Sequence, residues 1–166
     1  MTANIYIIDE LGPAKLAIMA RPRGGDWLDD DLASVAQQGF DVVVSLLEEE
    51  EESYLELGRE AEISRKLNLE FVHIPIPDRG TPAREREILS AISSLAQLWS
   101  AGKSIVVHCR MAYGRAPMIA SCILISHGKS VQDATTAVAA ARGVSVPETA
   151  EQLAWVQEYE RAIHTP

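Results

Sequence analysis

The stretch that decides the fold joins an apolar run, a tight loop and a helix start: Ser104-Ile-Val-Val-His-Cys-Arg-Met-Ala-Tyr-Gly-Arg-Ala-Pro117. The apolar residues before the loop are typical of a buried strand, and the pattern after it predicts a helix from about Arg115 to Ser126 that stops at Gly128. Backbone N–H groups at a helix start have no partner within the helix, and the helix dipole adds a partial positive charge there. The segment therefore predicts an anion site, with phosphate as the natural guest.

Two side chains at the ends of this loop carry the chemistry. Cys109 opens the loop, where unpaired N–H donors and the helix terminus would stabilise its reactive thiolate. Arg115 closes it and can offer two phosphate oxygens a planar fork of donors, a geometry that lysine could not supply. We expect Cys109 to be the nucleophile and Arg115 to hold the phosphate. The substrate-binding loop would comprise Arg110, Met111, Ala112, Tyr113, Gly114 and Arg115.

The spacing of this segment resembles that of a known family. His108 and Cys109, followed by five residues and then Arg115, resemble the signature loop of protein tyrosine and dual-specificity phosphatases. The resemblance implies that Cys109 attacks phosphorus and forms a phosphocysteine that water then hydrolyses, with no metal or other cofactor required. His108 would orient the nucleophile through hydrogen bonds.

Two other segments extend the resemblance. Ile74-Pro-Ile-Pro-Asp-Arg-Gly-Thr-Pro82 resembles the loop that carries the general acid of this family, which would make Asp78 the acid, although a turn before Gly80 also explains an aspartate. Val146-Pro-Glu-Thr-Ala-Glu-Gln152 resembles a segment bordering the pocket, where Gln152 would orient the hydrolytic water. A cap and first turn of the last helix explain Thr149 and Gln152 equally well, and we place this structural interpretation first.

Two loop residues depart from the family pattern. Ala112 stands where glycine is usual, and a methyl group there penalises any backbone conformation with positive φ. Ala116 replaces a serine or threonine whose hydroxyl would help the cysteine sulfur to leave, so slow breakdown of the phosphocysteine is expected. The Gly-Arg-Ala-Pro run resembles regenerating-liver phosphatases, but the prenylation box and basic tail of that group are missing from this sequence.

Length and composition are compatible with one phosphatase domain spanning residues 1–166, since 47% of the residues are hydrophobic. Strands are predicted at Ile5 to Ile8, Leu16 to Met19, Asp41 to Leu47, Leu69 to Ile76 and Ser104 to Val107, with the last three at the sheet centre. Further helices are predicted from Trp27 to Gln38, from about Ser53 to Leu67, from Thr81 as N-cap to about Ser100, from Ser130, and from about Glu148 to Ile163. The expected fold is a three-layer α/β domain with a mostly parallel sheet of about five strands, as in dual-specificity phosphatases.

Charge and cysteine content limit the partners. A formal net charge of -9 disfavours nucleic acid and anionic membranes, so an anionic substrate needs a local positive pocket, which Arg79 and Arg110 could broaden. Cys109 and Cys122 fit no zinc-ligand spacing, and we expect both to be reduced in a cytoplasmic monomer. The acidic run from Glu48 to Glu52 is expected to be a solvated helix start.

Three functions compete at this level. The first is hydrolysis of phosphotyrosine, with phosphoserine and phosphothreonine as further candidates, in phosphorylated proteins or small phosphoesters. The second is a binding module in which Ala112 and Ala116 have disabled turnover. A sulfurtransferase or arsenate reductase is disfavoured, because the acid loop would go unused and no resolving cysteine is apparent.

Overall fold

A five-stranded sheet forms the middle layer of the computed structural model, which describes residues 4–83 and 85–164. The strand order is β1-β2-β5-β3-β4, and β1 is antiparallel to β2 while the other neighbours are parallel. The three middle strands are buried almost throughout, as their β-branched and aliphatic residues predict. The strands are β1 (Ile5–Leu11), β2 (Ala14–Met19), β3 (Val42–Ser45), β4 (Glu70–His73) and β5 (Ile105–His108).

Helices cover both faces of this sheet, which confirms the predicted three-layer architecture. Alternate residues of one strand serve opposite faces: Val42 and Val44 join the larger core cluster, and Val43 joins a smaller one on the other side. The helices are α1 (Leu28–Gln37), α2 (Glu49–Tyr54), α3 (Glu60–Lys66), α4 (Glu85–Ser100), α5 (Arg115–Ser126), α6 (Val131–Arg142) and α7 (Ala150–His164). None of these helices, within the described residues, has the length and apolar character needed to cross a bilayer.

Helix α5 is the central element of the larger core. Every residue from Arg115 to Ile125 is buried, and the helix packs against α4, α6, α7, β2 and β5. A helix that is apolar on all sides is stable only when neighbours surround it. Its start is therefore fixed firmly at the end of the loop that follows β5.

Several predicted boundaries differ from the structure. The prediction that β4 belongs to the sheet centre is wrong: β4 is an edge strand, and β2 lies beside β5 instead. The single helix predicted from Ser53 to Leu67 is two helices, α2 and α3, separated by a turn in which Glu56 has a φ of 56°.

Helix starts also differ in two places. Thr81 is not the N-cap of α4, since it lies in the loop before the helix, which is described from Glu85. Helix α7 begins at Ala150 rather than Glu148, and the Thr149 hydroxyl accepts a hydrogen bond from the Gln152 backbone N–H at 3.1 Å. Helix α5 spans the predicted residues, and the Ser130 hydroxyl caps α6 as predicted.

Candidate active site

The loop of residues 109–114 lies at the carboxyl end of β5, near the middle of the sheet. It leads directly into α5, whose N-cap is Gly114. The Sγ atom of Cys109 lies 3.4 Å from the backbone nitrogen of Ala116, which donates a hydrogen bond to it. The sulfur therefore lies against the N-terminus of α5, where the helix dipole favours negative charge.

Three backbone carbonyls of the loop are held on its outer side. The backbone N–H of Arg21 donates to the Arg110 oxygen at 3.2 Å. The guanidinium of Arg142 donates to the oxygens of Met111 and Ala112 at 3.3 and 3.2 Å. Because the C=O and N–H of a trans peptide point in opposite directions, the following N–H groups are turned toward the inside of the loop. Such a row of inward N–H groups forms an anion nest.

Arg142 is a supporting residue that the sequence did not reveal. Its guanidinium also lies over the rings of Tyr6 and Tyr113, at 4.6 and 4.3 Å from their centroids. These cation–π contacts hold the arginine in the orientation that binds the loop carbonyls. An arginine at the end of α6 has no sequence signal for this role, since its partners come from distant segments.

Ala112 takes up the left-handed conformation that glycine normally supplies. Its φ is 61° and its side chain is completely buried. The left-handed conformation costs an L-residue about 1–2 kcal/mol, while burial of one methyl group returns about 0.8 kcal/mol. The alanine therefore carries backbone strain that packing offsets in part.

The guanidinium of Arg115 is buried, with a side chain that is 1% exposed, and carboxylates surround it. Its two terminal nitrogens lie 2.7 and 2.9 Å from the two carboxylate oxygens of Glu51. One also donates to the Ile76 carbonyl at 2.9 Å, and the other to Asp78 Oδ1 at 3.1 Å. Burial acts to lower the pKa of Arg115, but the hydrogen bond to Glu51 and the charges of Cys109 and Asp78 outweigh it and raise the pKa.

Glu51 was not predicted as a site residue. The acidic run was expected to be a solvated helix start, and that prediction is wrong for Glu51, which reaches from α2 to Arg115, and for Glu52, which is mostly buried against His73. Glu48 and Glu51 form a capping box at the start of α2, which fixes the direction of the Glu51 side chain. Burial alone would raise the pKa of Glu51. The hydrogen bond from Arg115 and the positive charge of that guanidinium together outweigh burial, so the pKa is lowered.

Asp78 lies in the loop between β4 and α4, with 47% of its side chain exposed. Besides its contact with Arg115, its Oδ2 is 3.8 Å from Nη1 of Arg110. The loop is held from the other side because Gln152 Nε2 donates to the Gly80 oxygen at 3.2 Å, and Arg79 pairs with Glu148 at 3.2 Å. Asp78 is thus accessible to solvent, while the two residues that follow it are held by contacts with Glu148 and Gln152.

Asp78, Cys109 and Arg115 line one cavity of about 160 Å³, which is open to solvent. Gln152 lies behind it, completely buried and bonded to Gly80 and Thr149, an arrangement that matches the structural interpretation of this residue. The other residues lining the cavity are Arg79, Arg110, Met111, Tyr113, Gly114 and Glu148.

The two remaining predicted residues lie in the interior. His108, at the end of β5, directs Nε2 to Glu60 Oε1 at 2.6 Å and Nδ1 to the Cys109 carbonyl at 3.3 Å. Cys122 is buried inside α5, and burial raises the pKa of its thiol, as expected for a small core residue. Both cysteines are free thiols in the structure.

A family model described as the DSP-PTPase phosphatase of polymorphic toxin systems matches residues 17–129, which include the strand, the loop and α5. The chain belongs to this family. The match places it in the superfamily of cysteine-dependent tyrosine and dual-specificity phosphatases, as the signature segment implied. No sequence among the curated proteins matches this chain.

Solved structures support the same assignment of the fold. A kinase-associated phosphatase whose catalytic-site cysteine is replaced by serine superposes with a TM-score of 0.87 and 17% identity, covering 100% of this DSP-PTPase chain and 98% of that one. The active form of Tk-PTP superposes with a TM-score of 0.77 and 27% sequence identity, covering 95% of this chain and 96% of that one. PTPMT1 in complex with PI(5)P superposes with a TM-score of 0.73 and 19% sequence identity, covering 96% of each chain.

The strain at Ala112 can be measured by comparing two alanine-to-glycine changes. Ala112→Gly loses one buried methyl group and gains chain entropy in the unfolded state, but it relieves the left-handed strain, so the free energy of unfolding should change by less than about 1 kcal/mol. Ala120→Gly, in the buried interior of α5, has no strain to relieve and should lose about 2 kcal/mol. Urea denaturation of both variants measures the difference. Equal losses at the two positions would contradict the strain at Ala112.

Proposed function

We propose that this chain hydrolyses phosphomonoesters through a phosphocysteine intermediate, with Cys109 as nucleophile, Arg115 as phosphate clamp and Asp78 as general acid. The observation that carries the proposal is that these three side chains line one cavity at the start of α5. Phosphate in that cavity would meet inward N–H groups, a helix N-terminus and a planar guanidinium together. A free thiol as nucleophile also favours a reducing compartment, so we place the protein in the cytoplasm.

In the first step the Cys109 thiolate attacks phosphorus and a P–S bond forms as the bond to the leaving-group oxygen breaks. Asp78 gives its proton to that oxygen, which leaves as a neutral alcohol or phenol. Arg115 and the loop N–H groups stabilise the charge on the three equatorial oxygens. The exposed carboxyl of Asp78, above the cavity, is accessible to a departing group on the solvent side.

In the second step a water molecule attacks the phosphorus of the phosphocysteine. Asp78 takes the proton from this water, the P–S bond breaks, and inorganic phosphate leaves as the Cys109 thiolate is restored. The Ala116 backbone N–H already donates to the sulfur, but no side-chain hydroxyl is present at position 116 to stabilise the departing thiolate. The second step should therefore limit the rate.

The rim of the cavity favours an aryl phosphate. Met111 and Tyr113 line it with side chains that are 56% and 36% exposed, and these apolar surfaces can pack against a phenyl ring. Shorter phosphoserine and phosphothreonine side chains gain less from that contact. The preferred substrate we propose is phosphotyrosine in a protein or a small aryl phosphoester.

Hydrolysis of a series of aryl phosphates tests the roles of Cys109 and Asp78. Cys109→Ser should abolish turnover, and Asp78→Asn should lower kcat/KM by about 10²-fold or more for poor leaving groups, because proton donation is lost. The loss should shrink for leaving groups of low pKa, which need no proton. Asp26→Asn, at an exposed position outside the cavity, is the control. A wild-type protein as inert as Cys109→Ser that still binds phosphopeptides would establish the binding module instead.

Ala116→Ser tests which step limits the rate. Rapid mixing of wild type with an aryl phosphate should give a burst of phenol followed by slow turnover, because the phosphocysteine accumulates. The serine hydroxyl should stabilise the departing sulfur, raise kcat by about tenfold, and reduce the burst relative to the steady rate. A wild-type reaction with no burst would show that the first step is the slow one.

Glu51→Gln tests the orientation of Arg115. Loss of one member of a buried charged pair leaves the guanidinium free to turn away from phosphate, so kcat/KM should fall by about tenfold or more. Glu50→Gln, the neighbouring exposed position on α2, should leave kcat/KM unchanged and controls for the loss of a negative charge near the site. Equal effects of the two changes would indicate that only the field of α2 matters.

A further inference from the structure

A second buried pair of titratable side chains includes His108, the residue before Cys109. Glu60, the first residue of α3, contacts His108, the last residue of β5, through an Nε2 to Oε1 distance of 2.6 Å. The two side chains are 1% and 0% exposed. Removing two polar side chains from water is unfavourable unless a strong hydrogen bond or ion pair between them compensates for the lost hydration.

The environment of the imidazole defines its protonation. The neutral ring has one N–H and one acceptor nitrogen, whereas the imidazolium has two N–H groups. Nε2 of His108 faces a carboxylate oxygen, and Nδ1 faces the carbonyl of Cys109 at 3.3 Å. A carbonyl can only accept, so Nδ1 must carry a proton to bond with it. An ionised Glu60 can likewise only accept, so Nε2 opposite that carboxylate also carries a proton.

We propose that Glu60 is a positioning residue that holds His108 as an imidazolium and, through it, fixes the first peptide of the loop and stabilises the thiolate of Cys109. The role rests on the proposed function of Cys109 as nucleophile. Glu60 itself does not line the phosphate cavity. Its influence passes through the His108 ring to the Cys109 carbonyl and, as a charge, to the sulfur of the same residue.

The groups around the pair favour the same state. Glu52 of α2 also attracts His108, and it is paired with His73 of β4 at 3.1 Å. Burial acts to lower the pKa of His108, but the charge and hydrogen bond of Glu60, the Cys109 carbonyl and the charge of Glu52 outweigh it and raise the pKa. The Oε2 atom of Glu60 has no hydrogen-bond partner among the described residues, so the imidazolium is the principal compensation for this carboxylate.

Because the pKa of His108 is raised, the interaction between His108 and Glu60 depends on pH. Its contribution to stability is fully present below the pKa of an unfolded histidine, about 6.5, and is lost as pH rises through the higher folded value. The stabilising charge beside the Cys109 thiolate is lost over the same range.

Glu60→Gln tests the proposal while keeping the shape of the side chain. The amide oxygen can still accept from Nε2, but the negative charge that favours the imidazolium is gone. The rate of Cys109 alkylation by iodoacetamide, followed against pH, reports the thiolate without requiring turnover. Cys109 lines the open cavity, whereas Cys122 is enclosed in α5 and does not line it. At pH 6 this alkylation rate should fall about tenfold, because the positive charge that stabilises the thiolate is lost; tenfold corresponds to about 1.4 kcal/mol of that stabilisation. Among turnover constants, kcat should fall while KM changes less than about twofold.

The matched control is Glu62→Gln, on the same helix, where Glu62 is 53% exposed and paired with Lys66. It should alter neither the alkylation profile nor kcat. An unchanged alkylation profile and kcat in folded Glu60→Gln would overturn the role of Glu60 even if wild type is an active phosphatase. If wild type shows no turnover but Glu60→Gln still alters the alkylation profile, the proposed function is contradicted and the role of Glu60 is not.

A measurement on the wild-type protein does not depend on the folding of any variant. Nitrogen-15 NMR of labelled histidine separates neutral rings from imidazolium, and His108 should keep protons on both ring nitrogens to a pH above the ordinary histidine pKa of about 6.5. A His108 ring that becomes neutral at or below that pH would overturn the proposal, whatever the variants show.

Discussion

The site depends on one constraint: the N-terminus of α5 is held at the carboxyl end of β5, near the middle of the sheet. Helix α5 is buried on every side, so it cannot shift without disrupting the larger core. The loop between β5 and α5 has both ends fixed and only the residues 109–114 in which to turn. Its N–H groups, the Cys109 sulfur and the Arg115 side chain consequently converge on one small volume.

The buried guanidinium of Arg115 requires acceptor groups from other segments to compensate its charge. Removing Arg115 from water without compensation would cost several kcal/mol. Glu51 provides a bidentate partner, and Asp78 and the carbonyls of Ile76 and Leu46 provide further contacts. The two carboxylates come from different segments, α2 and the loop after β4, so the charge of Arg115 also holds these segments against the loop. The chain is acidic overall, yet its cavity is lined by three arginines and two carboxylates.

The parts of this arrangement that sequence predicts are the local ones. The apolar run before His108 and the apolar helix after Arg115 define β5, the loop and α5, because strand and helix patterns lie within a few residues of each other. The edge position of β4 could not be predicted from its sequence, since lateral strand order depends on long-range packing. The same limit applies to Glu51, Glu60 and Arg142. Nothing in the sequence separates Glu51 from its four acidic neighbours, because its selection depends on a capping box and on the position of Arg115.

Under the proposed function, the two alanines in the loop should affect different properties, because phosphate would be bound through the loop backbone. Binding requires inward N–H groups and Arg115, and external contacts from Arg21 and Arg142 orient the carbonyls that turn those groups inward. Ala112 satisfies this geometry at the expense of strain, since its φ is already in the left-handed region. Ala116 lies beside the sulfur, where a missing hydroxyl would affect the departure of the thiolate in the proposed second step. Under the proposed function, phosphate affinity and turnover should consequently be separable properties: affinity would depend on the backbone and Arg115, whereas turnover would depend on the few side chains that move protons and stabilise sulfur.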